Sequence, residues 1–167
     1  MAKTSLILIA TFFLAQTLNS AEIYGVPKII DGDTVHINDK KIRLQGIDAP
    51  EIKQQCKKPF LKISAVIGFE FNKNYSCGGI AKKKLIDKID NSKIKCISLS
   101  KDRYKRFLAT CFKNKINLNK WMVRNGNAVA YKRYSKDYVR DESYAKENKL
   151  GVWEGTFMIP EKWRKLN

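Results

Sequence analysis

The stretch from Gly25 to Glu51, GVPKIIDGDTVHINDKKIRLQGIDAPE, restricts the possible folds more than any other. Its apolar residues come in runs of a few positions, and each run ends at Gly, Pro, Asn or Asp. Such runs are too short for stable helices but long enough for strands. GVPKIIDGDTVHI reads as two short strands around a turn at Asp31-Gly32-Asp33, and KKIRLQGI as a third. Past the turn, Asp33, Val35 and Ile37 share one face while Thr34 and His36 take the other; Ile42 and Leu44 lie opposite Arg43. Short strands joined by tight turns form a meander, one half of a small barrel.

The remainder supplies the other half. Residues 52–78 are the least regular, and the mixed run FLKISAVIGFEF fits either a strand or a buried loop. GGIAKKKLIDKI spaces Ala81, Leu85 and Ile89 helically, with lysines on the other face. SKIKCISLS and RFLATCF are strand-like runs joined by KDRYK. NLNKWMVRNG predicts a short helix capped by Asn117 and stopped by Gly126, with Leu118, Trp121 and Met122 as its core stripe. KDYVRDESYAKENKLG predicts a charged helix ended by Gly151. Three strands, a helix, two strands and two helices give an α+β domain. Its expected form is a five-stranded OB-fold-like β-barrel packed with about three α-helices. With no repeat or linker, residues 22–167 are expected to form one domain.

Residues 1–21 read as a secretory signal peptide: Lys3 is the positive start, Leu6 to Ala15 the apolar run, and Ser20 and Ala21 a cleavage point. The run is too short to span a bilayer, which takes about 20 residues. No membrane anchor is expected once it is removed, and the product would be periplasmic or secreted. An uncleaved anchor is the other reading. Lys and Arg number 33 against 16 Asp and Glu, a net charge of +17, and the leader contributes only Lys3. That excess suits a polyanionic partner: nucleic acid, an anionic membrane or an acidic polymer. A merely solvated basic surface is the alternative.

Export changes the meaning of Cys56, Cys77, Cys96 and Cys111. No two of them form C-x-x-C, which argues against structural zinc. Of the three possible pairings, Cys56–Cys77 with Cys96–Cys111 is favoured, because Cys96 and Cys111 bracket the KDRYK turn almost symmetrically. Closing a 15-residue loop this way adds about 3 kcal/mol.

KIRLQGIDAPE sets Arg43, Asp48 and Glu51 around a break at Gly46 and Pro50, and Asp31 and Asp33 sit on the neighbouring turn. Carboxylates converging on one point repel unless a cation neutralises them, and hard oxygens suit calcium or magnesium. DGDTVHIND is no helix-loop-helix calcium loop, since Val35 and His36 stand where that loop needs an oxygen ligand and glycine. A plain Asp-Gly hairpin turn is the bland reading. KDRYKRFLA places Arg103 and Arg106 around Tyr104, guanidiniums matched to phosphate with an aromatic that can stack on a base. AYKRY adds Tyr131, Arg133 and Tyr134. His36, the sole histidine, alternates away from Asp33 and reads as a surface residue.

DGDTV, IRLQGIDAPE, DRYKRFLA and NGNAVAY, in this order, resemble the staphylococcal nuclease (thermonuclease) family, and the closing KLGVWEG fits as well. The resemblance covers Ile23 to Trp153. It implies that Asp33, Asp48 and the backbone carbonyl of Ala49 hold Ca2+, with Asp31 behind them. It places Arg43, Glu51 and Arg106 at the family's catalytic positions, and Tyr104 and Tyr131, with Arg103 nearby, against the nucleotide. The implied activity is calcium-dependent hydrolysis of DNA and RNA, single-stranded or frayed, leaving 3′-phosphates, by a monomer. Two other classes compete: a non-catalytic nucleic-acid-binding barrel, and a basic envelope or adhesion protein acting through charge alone.

Overall fold

The computed structural model describes residues 20–63 and 69–167, so the expected leader, apart from Ser20 and Ala21, lies outside the described residues. Along the chain run β1 (Ala21–Gly25), β2 (Lys28–Ile29), β3 (Thr34–Ile37), β4 (Lys40–Leu44), β5 (Ile47–Asp48), β6 (Gln55–Ile63), β7 (Phe69–Ser76) and α1 (Cys77–Ile89). Then come β8 (Ile94–Lys101), β9 (Phe107–Lys113), β10 (Ile116–Asn117), α2 (Leu118–Arg124), β11 (Val129–Ala130), α3 (Val139–Glu147), a 3₁₀ turn (Gly151–Glu154) and α4 (Pro160–Leu166).

One mixed sheet curls into a half-barrel in the order β1-β8-β9-β4-β3-β2, with β10 added to β9. The β3–β4 hairpin pairs Thr34 with Arg43, and β4 then runs parallel to β9, setting Arg43 beside Leu108. That single parallel contact brings the KIRLQGIDAPE and KDRYKRFLA stretches together. The expected alternation holds where it matters most: Val35, Ile37, Ile42 and Leu44 are fully buried, while Arg43 and His36 are only partly so. These side chains meet Leu85 and Ile89 of α1 and Leu118 and Met122 of α2 in one core. Burying each such side chain stabilises the fold by roughly 1.5–3 kcal/mol.

The helices begin and end where side-chain chemistry dictates. Ser76 caps α1 by accepting from the Gly79 N–H, and Asp90 ends it in the left-handed region. Asn117 caps α2 by accepting from the Lys120 N–H at 2.9 Å, as expected. The charged helix is shorter than its sequence pattern, beginning at Val139 and ending at Glu147 before the 3₁₀ turn that starts at Gly151.

Three features go beyond the sequence expectation. Ala21 is the first residue of a strand that pairs with β8 along its whole length. The irregular region is a long β6–β7 hairpin, with Phe60 and Phe71 exposed and so no buried loop at those residues; residues 64–68 of that run lie outside the described residues. A fourth helix, α4, follows the 3₁₀ turn. Both disulfides pair as favoured: Cys96–Cys111 staples β8 to β9, and Cys56–Cys77 joins β6 to the start of α1. No helix among the described residues is long and apolar enough to cross a membrane.

Candidate active site

The site is assembled from two turns of the barrel rim. At the first, the Asp33 N–H donates to Asp31 Oδ1 at 2.9 Å, a side-chain-closed turn that aims the Asp33 carboxylate inward. At the second, Gly46 takes φ +76°, which lets β4 end and β5 begin at once; Asp48 follows two residues later. The two carboxylates are almost wholly shielded, at 2% and 0% exposure for Asp33 and Asp48. Buried charge requires partners. Arg43 provides them from β4: Nη1 pairs with Asp33 and Nη2 with Asp48 Oδ1 at 2.9 Å. Asp33 Oδ2 also accepts from the Ala49 N–H at 2.7 Å, locking one turn to the other.

Glu51 stands just outside this buried pair. Its backbone is fixed by Gln54, whose side-chain oxygen accepts from the Glu51 N–H at 3.2 Å and whose own N–H donates to the Glu51 carbonyl at 2.8 Å. Gly78 of α1 lies so close that an added Cβ would fall 1.7 Å from the Glu51 carbonyl oxygen. Only glycine admits that approach.

The second guanidinium, Arg106, is held differently. Its Nε and Nη2 both lie 2.7 Å from Asp102 Oδ2, and Asp102 Oδ1 accepts from the Tyr104 and Arg106 N–H groups at 2.9 and 3.0 Å. Asp102 thus shapes the hairpin turn and orients Arg106 at once. Burial would raise the Asp102 carboxyl, but the Arg106 hydrogen bonds and charge outweigh it and hold it below the usual carboxylate range.

An open groove of about 1180 Å³ runs between these parts. Arg43, Glu51 and Arg106 line it together, with Arg103, Tyr104 and Tyr131 also in its lining. Asp33 and Asp48 lie beneath, so all the expected site residues but one meet at or under one groove; Ala49 enters through its backbone alone. Arg106 forms no ion pair with either buried carboxylate; its partner is Asp102. Tyr104 is 61% exposed and lies under the guanidiniums of Arg103 and Arg106, 4.7 and 5.4 Å from its ring centroid. Tyr131 meets Tyr134 edge-on at 4.7 Å. Burial raises the Tyr131 phenol, with Glu161 and Asp48 adding to it. His36 is not part of the groove lining.

One participant was not foreseen. Arg164 of α4 reaches Asp48 with both Nη atoms, at 2.8 and 3.1 Å, and Glu51 Oε1 at 2.8 Å. Burial would lower the Arg164 guanidinium, yet Asp48 and Glu51 push it above the ordinary arginine range. Arg43 moves the other way: burial, with Arg106 and Arg164 nearby, lowers it against the pull of Asp48 and Asp31. A lone arginine in a short polar segment carries no sequence signal for this role.

Among the described residues no group of three or more His, Cys, Asp or Glu side chains forms a metal cage. The expected set needs only two side chains and a carbonyl, however, and those two buried carboxylates already converge on one cationic group, Arg43. Among the described residues Asp33, Asp48 and Glu51 form ion pairs with Arg43 and Arg164 alone, and Asp31 adds a further carboxyl beside Asp33, so acidic groups outnumber their ion-pair partners here. A divalent cation on hard oxygens suits such an excess.

Comparison with known proteins agrees with this geometry. Residues 41–155 match the family model described as staphylococcal nuclease homologue. The chain belongs to this nuclease family. It is 34% identical over 170 residues to an uncharacterised endonuclease of Haemophilus influenzae, covering 97% of this chain and 83% of that protein. It is 31% identical to the succinoglycan biosynthesis protein ExoI of Rhizobium meliloti, over 87% of this chain and 72% of the relative. A micrococcal nuclease of Shigella flexneri is 27% identical, over 85% and 80% of the two chains. Membership supports a hydrolytic nuclease with nucleic acid as substrate and metal-dependent chemistry.

Proposed function

We propose that the protein is an exported, calcium-dependent nuclease that cuts DNA and RNA, preferring single-stranded or frayed segments, and leaves 3′-phosphate ends. The observation that carries this reading is that Arg43, Glu51 and Arg106 line one groove, with Arg43 paired to the buried carboxylates of Asp33 and Asp48. Asp33, Asp48 and the Ala49 carbonyl would hold the calcium ion. When bound, it would offset charge on the phosphate and lower the cost of forming an attacking hydroxide.

The chain's own residues do the rest. Glu51, one-third exposed at the groove, accepts a proton from the water that attacks phosphorus in line. Negative charge grows on the phosphoryl oxygens as the water attacks; the P–O5′ bond then breaks and the departing 5′-oxygen takes a proton from solvent water to leave as a hydroxyl. Arg43 and Arg106, which line the same groove, donate hydrogen bonds to that charge and cannot serve as base. Tyr104 and Tyr131 offer faces on which splayed bases stack, which favours single strands over an intact duplex. The positive surface draws the polyanion in. The active unit is a monomer without a membrane anchor once the leader of residues 1–21 is removed, acting in the periplasm or outside the cell.

The decisive experiment digests denatured DNA with purified protein lacking residues 1–21, in calcium and then in chelator. Cutting in calcium alone supports the proposal; equal cutting in both, or none in either, rejects it. Salt-sensitive binding without cleavage would instead mark a non-catalytic nucleic-acid-binding barrel. Arg106→Ala is expected to lower kcat by about 100- to 1000-fold, as for loss of one charge-stabilising donor.

A further inference from the structure

Helix α4 lies wholly beyond residues 41–155, the segment that matches the family model, yet it delivers a side chain to the centre of the site. Two contacts from other elements bring it there. Gln54 Nε2 donates to the Met158 carbonyl at 2.6 Å, and Arg133 pairs with Glu161 at 3.2 Å. Gln54 is the same buried residue that fixes the Glu51 backbone, so the approach to α4 and the base share one support.

Arg164 does two things at that point. Among the described residues it forms the single ion pair of Glu51, whose carboxylate is about one-third exposed at the groove. It also takes both oxygens of Asp48, which Arg43 approaches from the other side. Without Arg164, Asp48 would keep Arg43 as its ion-pair partner among the described residues and Glu51 would have none.

We propose that Arg164 is a positioning residue of the reaction: it fixes the Glu51 carboxylate and offsets part of the negative charge around Asp48, where a divalent cation would bind. This rests on the nuclease reading above. Arg164 opposes cation binding by charge while aiding turnover by orientation, and that pairing separates it from a structural contact. A base held loosely loses rate even when it remains present, and residues that orient metal-site groups typically alter affinity or activity by 10–100-fold.

The test compares Arg164→Gln, Arg164→Lys and Lys162→Ala, an exposed control on the same helix, with the parent protein. Calcium chloride is titrated by calorimetry without substrate, and kcat and KM are measured separately on denatured DNA. For Arg164→Gln, calcium is expected to bind roughly tenfold tighter while kcat falls roughly 10- to 100-fold with KM little changed. Arg164→Lys recovers only part of the rate, because an ammonium cannot span Asp48 and Glu51 as a planar fork does. Lys162→Ala changes neither quantity. Tighter calcium with faster turnover would overturn the proposal by making Arg164 an internal competitor of the cation. Loss of both calcium binding and turnover would reduce it to a structural strut, and no change in either to a surface ion pair. If the parent protein cuts nothing in calcium, the nuclease reading falls, while the calcium titration still decides whether Arg164 and the cation share these carboxylates.

Discussion

Asn119, wholly buried in α2, ties three parts of the domain together with one side chain. Its Oδ1 accepts from the Cys111 N–H of β9 at 3.0 Å, and its Nδ2 donates to the carbonyls of Gln45 at 2.9 Å and Ala109 at 3.0 Å. Gln45 opens the turn that carries Asp48, so the tether supports the site from behind. Asn119→Leu keeps the branch at Cγ and removes all three bonds. The Ala109 carbonyl retains a second donor, the Gln45 N–H at 2.9 Å, but the Cys111 N–H and the Gln45 carbonyl lose the Asn119 bond. Each buried group left unpaired costs about 1–3 kcal/mol, so the expected loss is about 4 kcal/mol. Urea unfolding followed by circular dichroism reads this directly: at a slope of about 2 kcal/mol/M the midpoint falls by about 2 M with the slope unchanged. A loss below about 1 kcal/mol would show that this side chain is not the tether described here.

Two further outcomes follow from close contacts elsewhere. Gly78→Ala forces a Cβ against the Glu51 carbonyl, backbone against backbone, so Glu51 must shift. An approximately 100-fold fall in kcat is expected from a displacement of that size, measured as initial cleavage rate below the melting transition; full activity would mean that α1 does not abut the base. Glu142 is buried between Lys132 and Lys146, at 2.6 and 2.9 Å; burial alone would raise its carboxyl, but the two lysines hold it below the ordinary value. With the unfolded value near 4.3, this stabilisation is present in full above that pH and is lost as pH falls through the lower folded value. The melting temperature of Glu142→Gln should therefore lie below the parent at about pH 7 and converge with it towards about pH 3; a gap that stays constant with pH would refute the assignment.

What could be read from the sequence was what local chemistry encodes. The Asp31-Gly32-Asp33 turn, the alternation through Ile42 and Leu44, and the Asn117 cap each depend on neighbours within a few positions. The symmetric placement of Cys96 and Cys111 about a turn likewise marked their pairing. The β6–β7 hairpin escaped because its flanking positions are exposed on both faces, so no clean two-residue alternation marks them. β1 was hidden by its position against an apolar leader. Arg164 was beyond reach for a different reason: its partners lie 116 and 113 residues earlier, and only the finished fold makes them neighbours.

The parallel contact between β4 and β9 has a consequence for the order in which the groove comes together. Parallel neighbours cannot form by a local turn; the chain must first complete β5 through β8 and α1 before β9 can dock. Arg106 therefore joins the acidic residues late, and Arg164 later still. The groove is whole only once nearly all of the domain has been made.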